Sequence, residues 1–251
     1  MKKKQEKYIQ GDGMVKWVGK NNILAVIQAR GGSKGIPGKN IKKINGIPLL
    51  VYTVMEAFRS DIFDHVVVSS DDDGILRIAE SSTAYPLKRP KRLAKDETLS
   101  YESLRWATLE CEELFKRKYD YVVELPCVSP LRKDYHIKEA VFKLVKTGAD
   151  SVISVTQMQD KHPVRMKRIV NDQIEDFCSE YPEGDAGRRQ DLEPCYIRNG
   201  GIYSMKRDLL IKKHTRHGKD SRPYIMDEFS SVNIDSEIDF KLAEALLNNE
   251  S

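Results

Sequence analysis

Residues 23–40 read ILAVIQARGGSKGIPGKN, in which an apolar run leads directly into a loop with four glycines and three basic residues. The short, β-branched run at 23–27 is typical of a strand buried in a parallel sheet. Glycines let backbone N–H groups approach phosphate oxygens closely, and Arg30, Lys34 and Lys39 supply the positive charge to neutralise them. The loop fits neither the Walker A pattern nor the dinucleotide-binding pattern G-x-G-x-x-G. It therefore predicts a phosphate-binding loop of another type.

Strand-like and helix-like segments alternate after this loop. Apolar runs predict buried strands at 66–68, 121–125 and 151–155, and helical spacing of apolar residues predicts helices over 48–59, 101–116 and 134–146. Asp72 or Asp73 is placed to cap a further helix that ends near residue 81. This alternation predicts a doubly wound, mostly parallel, Rossmann-like α/β sheet, with ligands bound at the carboxyl ends of the strands.

The second half of the chain departs from this alternation. Prolines and glycines interrupt residues 157–196, which predicts an inserted arm. A strand-like run follows at 202–204, and Ser236 with Asp239 forms a capping box for a helix that ends near residue 247. We expect one domain over 21–251, including the arm, preceded by a flexible N-terminal extension over 1–20.

The bulk composition excludes several classes of protein. The 251 residues, 40% of them hydrophobic, suffice for one substantial core. A net charge of +4 from 42 basic and 38 acidic residues argues against a dedicated nucleic-acid binder. The chain contains no 18-residue apolar run and no apolar segment after its basic start, so we expect neither a membrane span nor a signal peptide. Four cysteines without metal spacing favour a reducing compartment, and we expect a cytoplasmic protein.

Six blocks of sequence, in order, resemble the acylneuraminate cytidylyltransferases, also called CMP-sialic acid synthetases. The blocks are RGGSKGIPGKN at 30–40, VSSDD at 68–72, SPLR at 129–132, RQDL at 189–192, NGGIY at 199–203 and IDSEIDF at 234–240. The resemblance implies a nucleotidyltransferase that moves CMP from CTP to an acidic nine-carbon sugar, with Mg²⁺ as cofactor and pyrophosphate as product. It also implies a homodimer in which the arm over 157–196 reaches the partner's sugar site.

The resemblance assigns roles to individual residues. The implied catalytic residues are Lys39, which faces the developing pyrophosphate, Arg30 and Asp235. The implied nucleotide-binding residues are Arg30, Gly32, Ser33, Lys34, Lys39, Asn40, Arg89 and Ser100. The implied sugar-binding residues are Arg189, Gln190, Asn199 and Tyr203, and the implied metal ligands are Asp235 and Asn233. Asp71 and Asp72 could also steer Mg²⁺, but an aspartate between a strand and a helix is more often a helix cap, which is the interpretation we favour.

The chain departs from the family pattern at three places. Asn233 stands where the family usually has aspartate, which removes one negative charge from the expected metal site; in an extended segment its side chain would point the same way as that of Asp235. Residues 126–128 read PCV where members that use ordinary sialic acid tend to have QPT. Ile197 stands where they carry arginine, and Arg198 follows one place later. These departures favour a related acceptor, such as a legionaminic- or pseudaminic-type nonulosonate.

Two other functions compete with this one. A CMP-KDO synthetase is the nearest enzyme alternative, although that family lacks the NGGIY block at 199–203. The second alternative is a CTP-binding regulatory subunit whose metal site has decayed at Asn233.

Overall fold

The computed structural model describes residues 8–11, 14–17, 22–33, 35–158, 161–184 and 191–249. Its strands are β1 (Tyr8–Gly11), β2 (Met14–Trp17), β3 (Ile23–Gln28), β4 (Lys43–Ile44), β5 (Ile47–Pro48), β6 (His65–Ser70), β7 (Tyr85–Lys88), β8 (Tyr121–Glu124), β9 (Ser151–Gln157), β10 (Lys167–Val170), β11 (Gln173–Asp176), β12 (Tyr196–Lys206) and β13 (Ser221–Ile225). Its helices are α1 (Leu49–Arg59), α2 (Asp73–Ser81), α3 (Ser100–Leu114), α4 (Asp134–Thr147), α5 (Arg207–Lys213) and α6 (Glu237–Asn248).

Seven strands form the central sheet in the order β13-β9-β12-β8-β3-β6-β7. Strand β12 runs antiparallel to both of its neighbours, whereas the other adjacent pairs are parallel. From β3 the chain winds outward to β6 and β7 and then returns to the other side of β3 as β8. This reversal confirms the doubly wound sheet and places a ligand-binding crevice at the carboxyl ends of β3, β6 and β8.

Both faces of the sheet are covered, which explains why the β3 sequence is apolar at consecutive positions. Ile23, Ala25 and Ile27 pack in one core cluster with residues of α1, α2 and α4. Leu24 and Val26 point to the opposite face and pack with residues of α3 and α5. The β3 strand is therefore the centre of two hydrophobic cores, and the loop that follows it is held on a rigid support.

A third apolar cluster fixes that loop against the C-terminal helix. Ile36 of the loop packs with Ile234 and with Phe240 of α6, and all three are at least 96% buried. Ser236 and Asp239 form the predicted capping box, with the Asp239 carboxylate accepting from the Ser236 N–H at 2.7 Å. The cluster and the cap together bring residues 234–235 beside the loop.

Other predicted elements agree with the structure within a few residues. Asp72 is the N-cap of α2, since its carboxylate accepts from the N–H of Ile75 at 2.9 Å, so the cap interpretation of this residue is confirmed. Pro48 precedes the first residue of α1 and lies in β5, which pairs with β4. No helix in the described ranges is both long and apolar enough to cross a bilayer.

The predicted arm leaves the sheet at the end of β9 and returns at the start of β12. It contains the antiparallel hairpin of β10 and β11. This hairpin is a separate two-stranded sheet that does not pair with any strand of the central sheet. Arg189 and Gln190, two of the predicted sugar contacts, lie outside the described residues. Within the predicted N-terminal extension, β1 and β2 pair with each other.

Candidate active site

A cleft of about 480 Å³ opens at the carboxyl ends of β3 and β8, in the size range of small-molecule sites. One side, here called the β3 side, is formed by the end of β3 and by residues 89–103 between β7 and the first turn of α3. The other, called the β12 side, is formed by the end of β8, by β12 and by Arg216 and Asn233. The residues that line the cleft therefore fall into two groups, one on each side of β8.

The glycine loop after β3 is held in shape by two polar contacts. The N–H of Gly31 donates to the Asp71 carboxylate at 3.1 Å, and the side-chain amide of Asn40 donates to the carbonyl of Arg30 at 3.0 Å. Asn40 is buried, so in this structure it positions the loop, while Arg30 itself lines the cleft and pairs with Asp96 at 2.5 Å. A Cβ at Gly32 would meet nothing within 4 Å, so its backbone is open to a ligand. Lys34 lies outside the described residues.

Lys39 joins the loop to the segment before α6. Its ammonium donates to the carbonyl of Ile234 at 2.8 Å and lies 3.2 Å from a carboxylate oxygen of Asp235. The Lys39 side chain is only 12% exposed, whereas that of Asp235 is 77% exposed. A Cβ at Gly35 would lie 2.4 Å from the backbone oxygen of Asp235, so glycine is required for this close approach. The result is a sheltered cation beside an open carboxylate.

Asn233 and Asp235, the two predicted metal ligands, lie in the segment that leads into α6. The segment between β13 and α6 forms no strand, and the Ile234 N–H donates to Val128 after β8 at 2.8 Å. Asn233 lines the cleft and donates to the carbonyl of Asn199 at 3.2 Å, while its buried side-chain oxygen accepts no hydrogen bond. That orphaned oxygen and the exposed Asp235 carboxylate are hard donors of the kind that divalent cations prefer, so their chemistry fits such an ion. Among the described residues, no group of three or more His, Cys, Asp or Glu could hold a metal.

The β3 side of the cleft contains a buried arginine with spare donors. Arg89 is 5% exposed and donates to the Gln28 side-chain oxygen at 3.2 Å, with Asp71 at 3.9 Å. Burial lowers the pKa of Arg89, and its Nε and Nη2 groups have no hydrogen-bond partner. Buried polar groups are normally paired, so these N–H groups are available to an acceptor on a bound ligand. Leu93 and Ser100 line the same side, and Ser100 is the first residue of α3, whose N-terminus favours anions.

A chain of hydrogen bonds that the sequence analysis missed connects the two sides. Gln28 donates to one oxygen of Glu124 at 2.8 Å, and Arg216 donates to the other at 2.6 Å. The guanidinium carbon of Arg216 lies 4.6 Å from the centre of the Tyr203 ring, within cation–π distance. The sequence could have indicated Glu124, because a charged residue inside an apolar strand requires a partner. Nothing in the sequence indicates Arg216, because its contacts are made by residues far away in the chain.

The bulge in β12 shapes the β12 side of the cleft. Asn199 is buried, and its side-chain oxygen accepts from Ser154 at 2.6 Å and from the N–H of Gly201 at 3.1 Å. Its amide nitrogen donates to Ser231 at 2.8 Å, so the Asn199 side chain is hydrogen-bonded within the protein, and its sugar contact stays a prediction. Gly200 adopts φ +71°, and a Cβ there would lie 2.6 Å from the Asn233 amide nitrogen. Asn199 thus positions the bulge.

Tyr203 lines the β12 side of the cleft, whereas Arg132 lies behind it and supports it. Tyr203 lines the cleft as predicted for a ligand contact, and burial raises the pKa of its hydroxyl. Arg132 is 1% exposed and donates to the carbonyls of Pro126 and Gly201 at 3.1 and 2.7 Å. Burial lowers the pKa of Arg132 to about 10. Arg132 therefore ties the loop after β8 to the bulge of β12.

Comparison with known proteins gives close matches over nearly the whole chain. Residues 24–249 match a family model described as cytidylyltransferase. The chain is 35% identical over 227 residues to the CMP-N,N'-diacetyllegionaminic acid synthase of Campylobacter jejuni, covering 90% of this chain and 95% of that protein. It is 34% identical over 230 residues to the N-acylneuraminate cytidylyltransferase of Escherichia coli O18:K1:H7, covering 89% of this chain and 52% of that protein.

The structure is also similar to solved structures. A CMP:2-keto-3-deoxy-manno-octonic acid synthetase complexed with CTP matches with a TM-score of 0.67, covering 91% of this chain and 99% of that one. The sequence identity is 16%, so this similarity shows a shared fold. The family assignment rests on the sequence matches.

Proposed function

Because this chain belongs to the cytidylyltransferase family, we propose that it transfers CMP from CTP to a nonulosonic acid, an acidic nine-carbon sugar, and releases pyrophosphate. The observation that carries the proposal is the two-sided cleft, with the unpaired donors of Arg89 on one side and Tyr203 and Arg216 on the other. Relatives that cover most of the chain are named for this chemistry. The enzyme is therefore a nucleotidyltransferase.

On the β3 side, the cleft binds CTP. Leu93 and Ala94 form an apolar wall for the cytosine, and the unpaired N–H groups of Arg89 meet an oxygen of the nucleotide. The glycine loop over 30–40 binds the triphosphate through backbone N–H groups and basic side chains. Within this loop we assign direct contacts to Arg30, Gly32, Ser33, Lys34 and Lys39, and a positioning role to Asn40.

On the β12 side, the cleft holds the sugar so that its hydroxyl attacks the α-phosphorus in line with the leaving pyrophosphate. The rate then depends mainly on orientation and on charge neutralisation. Tyr203 is the sugar-side contact that lines the cleft in this structure. We propose that Arg189 and Gln190 of the arm add further contacts to the sugar.

We propose that the divalent cation of this reaction is Mg²⁺, held by the Asp235 carboxylate and the side-chain oxygen of Asn233. When bound, such an ion neutralises the triphosphate and stabilises the charge on the leaving pyrophosphate. The chain supplies one negative charge from these two residues, so its affinity for the ion depends strongly on Asp235. In this structure, the Lys39 ammonium pairs with the Asp235 carboxylate. Binding of the triphosphate would draw the lysine toward phosphate and leave the carboxylate to the ion.

A legionaminic-type sugar is the acceptor that the observations favour. Pro126 and Val128, two of the residues that depart from the sialic acid pattern, line the cleft. The relative at 35% identity is a legionaminic acid synthase by name. The CMP-KDO synthetase alternative is not favoured, because that similarity is one of fold at 16% identity.

An assay of pyrophosphate release tests the proposal directly. With CTP and Mg²⁺, we expect turnover with N,N'-diacetyllegionaminate to exceed that with pseudaminate, N-acetylneuraminate or KDO. Tight CTP binding without pyrophosphate release for any of the four sugars would favour the regulatory-subunit alternative. Highest turnover with KDO would restore the other alternative.

We place the reaction in the cytoplasm. The cysteines Cys111, Cys127, Cys178 and Cys195 are free thiols, as is typical of a reducing compartment. Burial raises the pKa of Cys111 and of Cys127 to about 12, so neither forms a reactive thiolate at neutral pH.

We propose that the arm forms a homodimer contact. Ile169 and Ile174 are directly opposed in the β10–β11 hairpin and are 77% and 75% exposed, and Phe177 beyond it is 62% exposed. Paired apolar side chains with this exposure are typical of an interface. We expect the double change Ile169→Asp and Ile174→Asp to convert a dimer into a monomer.

Light scattering after gel filtration would measure this change. Ile238→Asp is the matched control, because Ile238 is 78% exposed on α6 but lies outside the arm. A dimer that survives the arm substitutions, or a wild-type protein that is monomeric at micromolar concentration, would contradict the proposed interface.

A further inference from the structure

We infer that Arg216 binds the carboxylate of the acceptor sugar acid and that Glu124 and Tyr203 hold it in position for this task. The inference rests on the proposed function, since it requires an acidic acceptor. It assigns the residue that distinguishes a sugar acid from a neutral sugar.

The first observation is the distribution of positive charge in the cleft. Arg30 and Arg89 lie on the β3 side, with the glycine loop and the buried end of β3. On the β12 side, Arg216 is the cationic side chain among the described lining residues. An anionic group bound on the β12 side therefore has one obvious partner.

The second observation is how firmly Arg216 is held. One of its terminal nitrogens donates to Glu124 at 2.6 Å, and the guanidinium carbon lies 4.6 Å from the Tyr203 ring centre. Glu124 and Tyr203 are directly opposed in the β8–β12 register, so both contacts come from the rigid sheet. With one terminal nitrogen bound to Glu124 and the ring at one face, the Nε and second terminal N–H groups remain as a fork that matches a carboxylate in two-point geometry.

The burial of the pair supports a ligand role. The Glu124 side chain is 5% exposed, and each of its oxygens accepts a hydrogen bond, one from Gln28 at 2.8 Å and the other from Arg216 at 2.6 Å. The Arg216 side chain is 19% exposed and reaches the cleft. The carboxylate of Glu124 is thus the fixed member of the pair, and Arg216 presents its remaining donors to the cleft.

Arg198 is the competing candidate, because it follows the position where sialic acid enzymes carry arginine. In the structure Arg198 is exposed, and its contact is His217 at 3.4 Å. Arg198 is absent from the described lining of the cleft, whereas Arg216, 18 positions later in the sequence, is part of it. Ile197 cannot provide an arginine at its own position, and the fold brings Arg216 from another segment into the cleft.

Anchoring the carboxylate would also serve the reaction. In a nonulosonic acid the carboxylate is bonded to the carbon that bears the attacking hydroxyl. A two-point contact to that group fixes the hydroxyl relative to the α-phosphorus, and small errors in such positions are costly. We therefore expect Arg216 to affect both the KM for the sugar and kcat.

The test compares a sugar acid with its neutral C1 methyl ester in wild type and in Arg216→Gln. We expect wild type to prefer the acid by about 100-fold in kcat/KM, and Arg216→Gln to reduce that preference to below about fivefold, because the variant loses turnover of the acid alone. Arg198→Gln is the matched control and should retain the wild-type preference. Arg216→Lys, which keeps the charge but not the fork, should give an intermediate preference.

Other outcomes would overturn the inference. An unchanged acid-to-ester preference in Arg216→Gln would show that the arginine contacts another part of the sugar. A weakened affinity for CTP with an unchanged preference would assign it to the triphosphate. Circular dichroism and the melting temperature show whether each variant is folded.

Failure of the proposed function itself is visible separately. It would appear as wild-type protein that binds CTP but uses no sugar acid. Calorimetric titration of the acid and the ester into wild type and Arg216→Gln would then decide the role of Arg216 from binding alone.

Discussion

Replacing Lys39 by methionine should lower kcat for pyrophosphate release by about 10²–10³-fold, with the KM for the sugar acid nearly unchanged. Lys39 is the sheltered cation at the base of the glycine loop, 3.2 Å from the Asp235 carboxylate and 12% exposed. A cation in that position is suited to neutralise charge that develops on the leaving pyrophosphate, which is present only as the reaction proceeds. Steady-state kinetics with a coupled pyrophosphate assay would measure the loss.

Lys43→Met is the matched control for this change. Lys43 lies in β4, four positions along the chain, and its side chain is exposed. We expect its replacement to leave kcat within about twofold, as is usual for an isolated surface charge. Methionine at position 39 also deprives the Ile234 carbonyl of its donor, which would cost about 1–3 kcal/mol of stability. Retained CTP binding would separate lost catalysis from lost folding, and a folded variant with kcat within fivefold of wild type would contradict the assignment.

The sheet was predictable from sequence because its strands have a distinctive composition. Parallel strands buried on both faces are continuous apolar runs, and β3, β6, β8 and β9 all contain one. The capping residues Asp72 and Ser236 were likewise identifiable, since a cap acts within three residues of itself. Local signals of this kind need no knowledge of the tertiary fold.

The contacts that build the β12 side were not predictable in this way. Arg216 meets Glu124 across 92 positions of sequence, and Arg132 meets Gly201 across 69. Nothing local distinguishes Arg216 from the other basic residues around it. It belongs to the site because the segment between α5 and β13 passes beside Glu124 of β8 and Tyr203 of β12 in the tertiary fold.

Motif resemblance names residues but does not define which of their atoms are used, or for what. Asn199 belongs to a block that resembles the family, and it does lie beside the cleft. Its side chain, however, is fully used by Ser154, Gly201 and Ser231. A motif position can be required because it shapes the backbone, and the sequence alone does not separate that requirement from ligand contact.

The second large effect concerns the metal. We expect Asp235→Asn to raise the Mg²⁺ concentration for half-maximal activity at least about tenfold and to lower kcat by about 100-fold at fixed Mg²⁺, because the only carboxylate of the Asn233–Asp235 pair is lost. Asn233→Asp should have the opposite effect and lower the half-saturating Mg²⁺ concentration, since it adds a negative charge where the side-chain oxygen of Asn233 accepts no hydrogen bond. Activity measured against Mg²⁺ concentration would show both shifts.

A readout without turnover makes this test independent of the sugar. Asn233→Asp places a carboxylate beside the carbonyl of Asn199, which now accepts from the Asn233 amide at 3.2 Å, so the variant should be less stable than wild type without metal. In the presence of CTP, Mg²⁺ should then raise its melting temperature more than that of wild type. Glu237→Gln is the control, because Glu237 is an exposed carboxylate two residues from Asp235 that pairs with Lys42. If Asp235→Asn and Glu237→Gln had equal effects on Mg²⁺ dependence, Asp235 would not be a metal ligand, and its contact with Lys39 would be its whole role.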